Sequence, residues 1–344
     1  MKKLLLVPVL LLAAGMVFAG GGSQSSGGAA PSSTAPSVKP VELIYTCSSP
    51  AGDTQVRGAH LFKETVERIS GGQITVQVYD SGSLFKQEQE LAAVKTGQAD
   101  IANLSAPWFT ASAPWMSMFA AGYMFKSPEH WNKVLNGDIG KQVFDRIVKE
   151  VGVRPLGAEY FGTRQLNLVE DKPIRTPADL RGVNLRMPNS DSWLFLGRAM
   201  GANPTPLSVS EIYMALQTKA IDGQENPLPS DINSKFYEVT KSITITNHIS
   251  DGVYITINEA KWQSMTKQQQ DWVMTGVKTT LDWCWETLRK TEVEAVQFLK
   301  DQGLKVYEAD IDAFSKHVLD QYLNSEYAKT WDMDLFNRIQ AAAN

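Results

Sequence analysis

From Val41 onward, apolar positions follow two alternating spacings. Val41-Glu42-Leu43-Ile44-Tyr45 has the length of a short strand and runs into Ser48-Ser49-Pro50-Ala51-Gly52-Asp53-Thr54, where Asp53 or Thr54 suits the N-cap of a helix. Ala59, Phe62, Val66 and Ile69 recur at helical spacing over Gln55 to Ile69, and Gly71-Gly72 stops that helix. Ile74, Val76 and Val78 then alternate with Gln73, Thr75 and Gln77, the period of a strand. The unit repeats as a loop from Asp80 to Leu84, a helix from Lys86 to Lys95 ended by Gly97, and a strand from Ala99 to Leu104. Strands alternating with helices predict an α/β fold with parallel pairing and right-handed crossovers. Ligands of such sheets bind beyond the C-terminal strand ends. That rule points to Ser48 and Ser49 and to Ser105-Ala106-Pro107-Trp108; ordinary capped turns explain the same residues equally well.

Farther on, Ala113 to Phe125 is densely apolar and is expected to fill the interior. Ser127-Pro128-Glu129 opens a helix, and a second runs from Gly140 to Glu150 and ends near Gly152. Val153 to Tyr160 reads as a strand, with Phe161-Gly162-Thr163-Arg164 as a crossing between lobes. Thr176 caps a turn that has Pro177 at its first position. Ser242 to Thr246 and Gly252 to Ile257 read as two strands, the second returning to the first lobe. Lys267 to Gln302 contains Gly276 and no proline, and its apolar residues step by three, four or seven. This is one long amphipathic helix or a kinked pair, about 50 Å if straight, followed by a strand over Leu304 to Tyr307. Roughly 300 residues exceed what one core usually supports. Two lobes are therefore expected, 41–161 with about 251–285 and 162–250 with about 286–344.

The first residues have another character. Lys2 and Lys3, the apolar run Leu4 to Phe18 and the small residues around Ala19 predict a cleaved signal peptide over 1–19, hence export to the periplasm. Absence of a cysteine after that point argues against a lipid anchor. Gly20 to Pro40 reads as a flexible tether of Gly, Ser, Ala and Pro. The formal charge of the chain falls from −4 to −6 when Lys2 and Lys3 leave. An acidic protein of this kind is a poor partner for nucleic acid or anionic membrane, so any anion must be held by local arginines. Cys47 and Cys284 are read as buried free thiols, with a single disulfide as the alternative.

Catalytic and metal motifs are missing. His60, His130, His248 and His317 are isolated from one another and from the cysteines, and no zinc spacing, nucleophile elbow, Walker loop or dinucleotide fingerprint is present. A binding protein without cofactor is expected, and no enzyme. In Val183-Asn184-Leu185-Arg186-Met187 an arginine alternates with apolar residues, and Pro188 follows at once. Arg186 thus stands at the strand's ligand-facing end, where its planar fork of donors matches a carboxylate. Arg164 is a second candidate; the plainer reading pairs either arginine with Glu159 or Glu225. In Gln224-Glu225-Asn226-Pro227, proline biases Asn226 toward an extended backbone, so its amide can reach a ligand or fold onto its own turn.

These residues fall in an ordered series: Gly162-Thr163-Arg164-Gln165, Asp179-Leu180-Arg181-Gly182, Leu185-Arg186-Met187-Pro188-Asn189, Gly201-Ala202-Asn203-Pro204, Glu211 to Gln217, Asp222 to Pro227, Lys235 to Val239 and Thr246-Asn247-His248. In this the chain resembles the solute-binding proteins of tripartite ATP-independent periplasmic (TRAP) transporters, of the DctP type that binds C4-dicarboxylates. The resemblance implies a two-lobed fold of the type II periplasmic-binding-protein kind, each lobe a sheet flanked by helices, with the long helix spanning both. It implies closure on an organic acid and delivery to the membrane permease subunits, by a protein expected to be a monomer. It places the family's selectivity arginine on Arg186, a second arginine on Arg164 and the ligand-binding asparagine on Asn226. The chain departs from sialic-acid-binding members at Val209, where they carry Phe, and at Gln87 and Ser105, where they carry acids; these departures argue against sialic acid. Trp108 and Trp193 offer stacking surface for a sugar ring, or plain packing. A sugar acid such as a uronate or aldonate is the favoured ligand and a C4-dicarboxylate the alternative. Service to a periplasmic signalling receptor is the runner-up function.

Overall fold

The structure is a computed structural model that describes residues 39–343, so the expected leader and nearly all of the tether lie outside it. The first elements are β1 (Val41–Thr46), α1 (Thr54–Ile69), β2 (Ile74–Tyr79), α2 (Glu90–Thr96) and β3 (Ile101–Leu104), as the apolar spacing predicted. Gly97 ends α2 in the left-handed conformation, at φ 76°. The chain continues through α3 (Pro128–Leu135), α4 (Asp138–Val151), β4 (Val153–Leu168), β5 (Asn184–Met187), α5 (Asp191–Ala199), β6 (Asn203–Pro206), α6 (Ile212–Gln217) and β7 (Gly223–Pro227). It closes with α7 (Leu228–Asn233), β8 (Ser242–Asn258), α8 (Glu259–Ser264), α9 (Lys267–Asp301), β9 (Lys305–Glu308), α10 (Ile311–Leu323) and α11 (Met333–Ala341).

The strands form one sheet in the order β2-β1-β3-β8-β4-β7-β5-β6, with β9 also on β8. The pairing is mixed: parallel in the alternating strand–helix units, as expected there, and antiparallel along the long strands. β1 runs parallel to β2 and β3, and β5 runs parallel to β6 and β7. β8 is antiparallel to β3 and β4, and β4 is antiparallel to β7. The returning chain therefore enters the sheet from the opposite end, and its two long strands join the β1 half to the β5 half.

The expected crossing at Phe161 to Arg164 lies inside β4, and the two strands expected over Ser242 to Ile257 are one strand of 17 residues. Between Arg164↔Ile249 and Leu166↔Thr244 the register slips, with Asn247 at φ 46°. Gln165 makes that slip tolerable: its Oε1 accepts from the backbone N–H of Thr246 at 2.8 Å and of Asn247 at 2.9 Å. A polar stretch that sequence patterning reads as a break is thus held in the sheet by one side chain.

The long helix is single and unbroken, with 35 residues opened by a Thr266–Gln269 capping box. It packs on α1 and β4, and further along on α7 and β9, so it runs beside both halves of the sheet. Trp115, Met116, Met118, Phe119, Tyr123 and Met124 are buried, as their density predicted. Cys47 and Cys284 are buried free thiols. No helix among the described residues is long and apolar enough to cross a membrane.

Candidate functional site

β5 carries Leu185 and Met187 into the core, both without solvent exposure, and it carries Arg186 with them, at 1% exposure. A guanidinium so placed needs partners. Arg186 donates Nε–H to the carbonyl of Leu207 at 2.9 Å, and Nη2 has no partner among the described residues. No carboxylate forms an ion pair with it among the described residues. Burial pushes its pKa down to about 9, partly offset by the field of Glu225, so it is a cation at neutral pH.

Arg164, on β4, is its opposite. Nε and Nη2 donate to Oε2 and Oε1 of Glu225 at 2.5 and 2.7 Å, and Nη1 donates to Asp251 Oδ2 at 2.8 Å. Nη2 also donates to the carbonyl of Glu225 and to Asn226 Oδ1, and the guanidinium lies 4.6 Å from the centre of the Trp193 ring. Glu225 Oε2 is 3.0 Å from His248 Nε2, and His248 Nδ1 is 2.8 Å from Thr246 Oγ1. Burial would raise the Glu225 carboxyl, but Arg164 and His248 hold it down to about 2. Burial raises the pKa of Asp251, against the pull of Arg164. The sequence left open whether Arg164 meets Glu159 or Glu225; it meets Glu225.

Both arginines line one cleft between the two sheet halves. Of the other predicted residues, Ser48, Gln87, Ser105, Trp193 and Asn226 line it too, as does Val209. Asn226 is already engaged: Oδ1 accepts from Arg164 at 2.9 Å and Nδ2 donates to Gln224 Oε1 at 2.6 Å. Its amide therefore orients Arg164 as well as facing the cleft. Trp108 does not join them. It rides on the short turn Ala106–Phe109, and its ring borders a separate surface depression with Asn189, Asp191 and Tyr327.

Sequence reading missed several lining residues. Asp53, expected with Thr54 as the cap of α1, stands at its N-cap position, yet its side chain makes no cap bond. Its carboxylate accepts instead from Ser230 Oγ at 3.1 Å and Asn233 Nδ2 at 3.0 Å, and burial raises its pKa to about 6. Gln55 follows in the first turn of α1, at the C-terminal end of β1, where the strand-end rule would have flagged it. Asp251 and Asn103 also line the cleft, and nothing in their local sequence marks them. Among the described residues no cluster of His, Cys, Asp and Glu could hold a metal ion.

A sheet joined through two long strands, a helix along both halves and a cleft with a buried guanidinium that has no carboxylate partner among the described residues define a solute-binding protein. Residues 46–329 match the family described as bacterial extracellular solute-binding protein, family 7 (DctP), and the chain belongs to that family. It is 31% identical over 290 residues to the sialic acid-binding periplasmic protein of Vibrio cholerae, covering 84% of this chain and 89% of the relative. Among solved structures it resembles a TRAP periplasmic solute-binding protein of Roseobacter denitrificans with bound 3-deoxy-D-manno-oct-2-ulosonic acid, at 37% identity and a TM-score of 0.84. That match covers 88% of this chain and 99% of the other. A second Roseobacter denitrificans protein of the same kind, with bound L-galactonate, matches at 28% identity and a TM-score of 0.80, covering 90% of this chain and 100% of the other.

Proposed function

We propose that the protein captures a monocarboxylic sugar acid, such as a uronate or aldonate, by closing two lobes, and delivers it to the permease of a TRAP transporter in the bacterial envelope. The observation that carries this reading is the Arg186 guanidinium, buried, charged and without a carboxylate partner. A ligand carboxylate completes it with two parallel charge-assisted hydrogen bonds. A C4-dicarboxylate would need a second cation. Arg164 is already neutralised by Glu225, and Asp53 and Asp251 add negative charge to the walls. The rest of the lining favours hydroxyls: Ser48, Gln87, Asn103, Ser105 and Asn226 offer amides and hydroxyls.

Contacts between segments assigned to different lobes include Asp53 with Ser230 and Asn233, and Glu88 Oε1 with Ser208 Oγ at 3.0 Å. They form when the lobes meet and so stabilise a closed state that the ligand selects. The lobes are taken as 41–161 with about 251–285 and 162–250 with about 286–344. Relatives crystallised with an octulosonic acid and with L-galactonate support the class of ligand.

The test is a thermal-shift screen of aldonates, uronates, octulosonic acids and C4-dicarboxylates on the wild type and on Arg186→Ala. Sugar acids should raise the melting temperature of the wild type alone. Response to dicarboxylates only, or undiminished shifts in Arg186→Ala, would overturn the reading.

A further inference from the structure

Four side-chain polar atoms are buried without a partner among the described residues: Gln55 Nε2, Arg186 Nη2, Asp231 Oδ2 and Thr244 Oγ1. Only Gln55 and Arg186 line the cleft. Arg186 comes from β5, near one end of the sheet order, and Gln55 from α1, which follows β1 near the other. The two unmet groups therefore stand on opposite walls.

Gln55 is 2% exposed and its amide is fixed at one end, where Ser49 Oγ donates to Oε1. The other end carries two N–H donors and no acceptor. An orphan of this kind costs free energy that a structural role does not return. Asp53, two residues earlier, supplies a carboxylate to the same cleft. The serine hydroxyl can donate or accept, so either orientation of the amide leaves one end facing the cleft with a hydrogen bond to make.

We propose that Gln55 is a specificity-determining residue that hydrogen-bonds a hydroxyl on the part of the ligand remote from the carboxylate held by Arg186. This rests on the sugar-acid reading and deepens it. Arg186 admits any small carboxylate; Gln55 admits only an acid whose chain or ring carries an oxygen as far as the start of α1. A pocket built to hydrogen-bond a hydroxyl discriminates sharply against the analogue that lacks it, because the buried group is left unpaired.

The experiment is calorimetry of L-galactonate, D-galacturonate and their monodeoxy analogues on the wild type and on Gln55→Met. The variant keeps the side-chain length and removes the amide. Expected are a roughly ten- to hundredfold loss of affinity for the hydroxylated acids and an unliganded melting temperature no lower than that of the wild type. One deoxy position should weaken binding to the wild type and make no further difference in Gln55→Met. Gln55→Leu, which carries no hydrogen-bonding group and adds no charge, gives the same readout if methionine disturbs the helix start. Equal affinities in wild type and variants, with sugar acids bound by both, overturn the role of Gln55 and leave the proposed function standing. If the wild type binds neither these acids nor any other sugar acid of the thermal-shift screen, both fall.

Discussion

Arg164 and Glu225 meet through two guanidinium–carboxylate contacts, at 2.5 and 2.7 Å, both residues almost wholly out of solvent. Removing the cation leaves the Glu225 carboxylate, already held down to about 2, with His248 as its remaining side-chain partner, and takes from Asp251 its ion-pair partner. Arg164→Ala is therefore expected to lose about 3–5 kcal/mol of unfolding free energy with no ligand present. Urea titration of the unliganded variant measures this. A loss under about 1 kcal/mol, typical of exposed pairs, would show that the pair does not hold the fold.

Arg186 should behave in the reverse way. Its burial is uncompensated in the unliganded protein, so Arg186→Met is expected to unfold at the same urea concentration as the wild type or a higher one. The same variant should show no melting-temperature rise with any organic acid. Together the two arginine variants separate a residue that holds the fold from one that holds the ligand. Marked destabilisation of unliganded Arg186→Met would contradict the assignment.

Why one arginine was legible in sequence and the other was not has a physical answer. Arg186 interrupts an apolar strand that Pro188 ends, so its place at the cleft follows from four consecutive residues. The partner of Arg164 depends on the antiparallel register of β4 on β7, which brings Arg164 opposite Pro227 and beside Glu225; local pattern does not encode that pairing. The helices were readable because spacing and caps are local. The continuity of β8 was not, because it depends on Gln165, more than eighty residues from Thr246 and Asn247 in the chain. Trp108 borders a depression separate from the cleft for a similar reason. The strand-end rule locates the chain after β3, and the turn at Ala106–Phe109 decides which residues reach the cleft.

Gly162 lies in β4 at a register slip, with φ at +123°. A Cβ there would come within 2.6 Å of Pro227 Cβ, next to Asn226 and Arg164. The following Thr163 N–H donates to Glu292 of α9 at 2.5 Å, so the backbone has little freedom to move away. Gly162→Ala is expected to cost about 1–3 kcal/mol of stability, and it should weaken ligand binding by displacing Pro227. Urea unfolding and calorimetry on one variant check both. Retention of wild-type stability would show that the slip can relax.

Glu159 sits on β4 at 0% exposure, with Asn103 Nδ2 3.4 Å from Oε2 and Cys284 Sγ 3.3 Å from Oε1. Burial, reinforced by Asp53, pushes its pKa from 4.5 to about 8, so it holds a proton at neutral pH. Between those values the folded protein binds a proton that the unfolded chain has released. Stability from this group is complete below pH 4.5 and is lost as pH rises through 8. Glu90, also raised to about 8 by burial, acts in the same direction. Glu225 has the opposite sign, but its contribution is lost only as pH falls toward about 2, below the window; His130, its pKa lowered by burial, opposes the decline inside it and is outweighed by the two acids. Unfolding free energy is therefore expected to decline from pH 5 to pH 8, with each acid contributing at most about 1.4 kcal/mol per pH unit. Glu159→Gln, which keeps shape and abolishes titration, should flatten the decline in urea midpoints measured across that range. An unchanged slope in the variant would mean that Glu159 is ionised in the folded protein, with Asn103 and Cys284 serving as donors to a carboxylate.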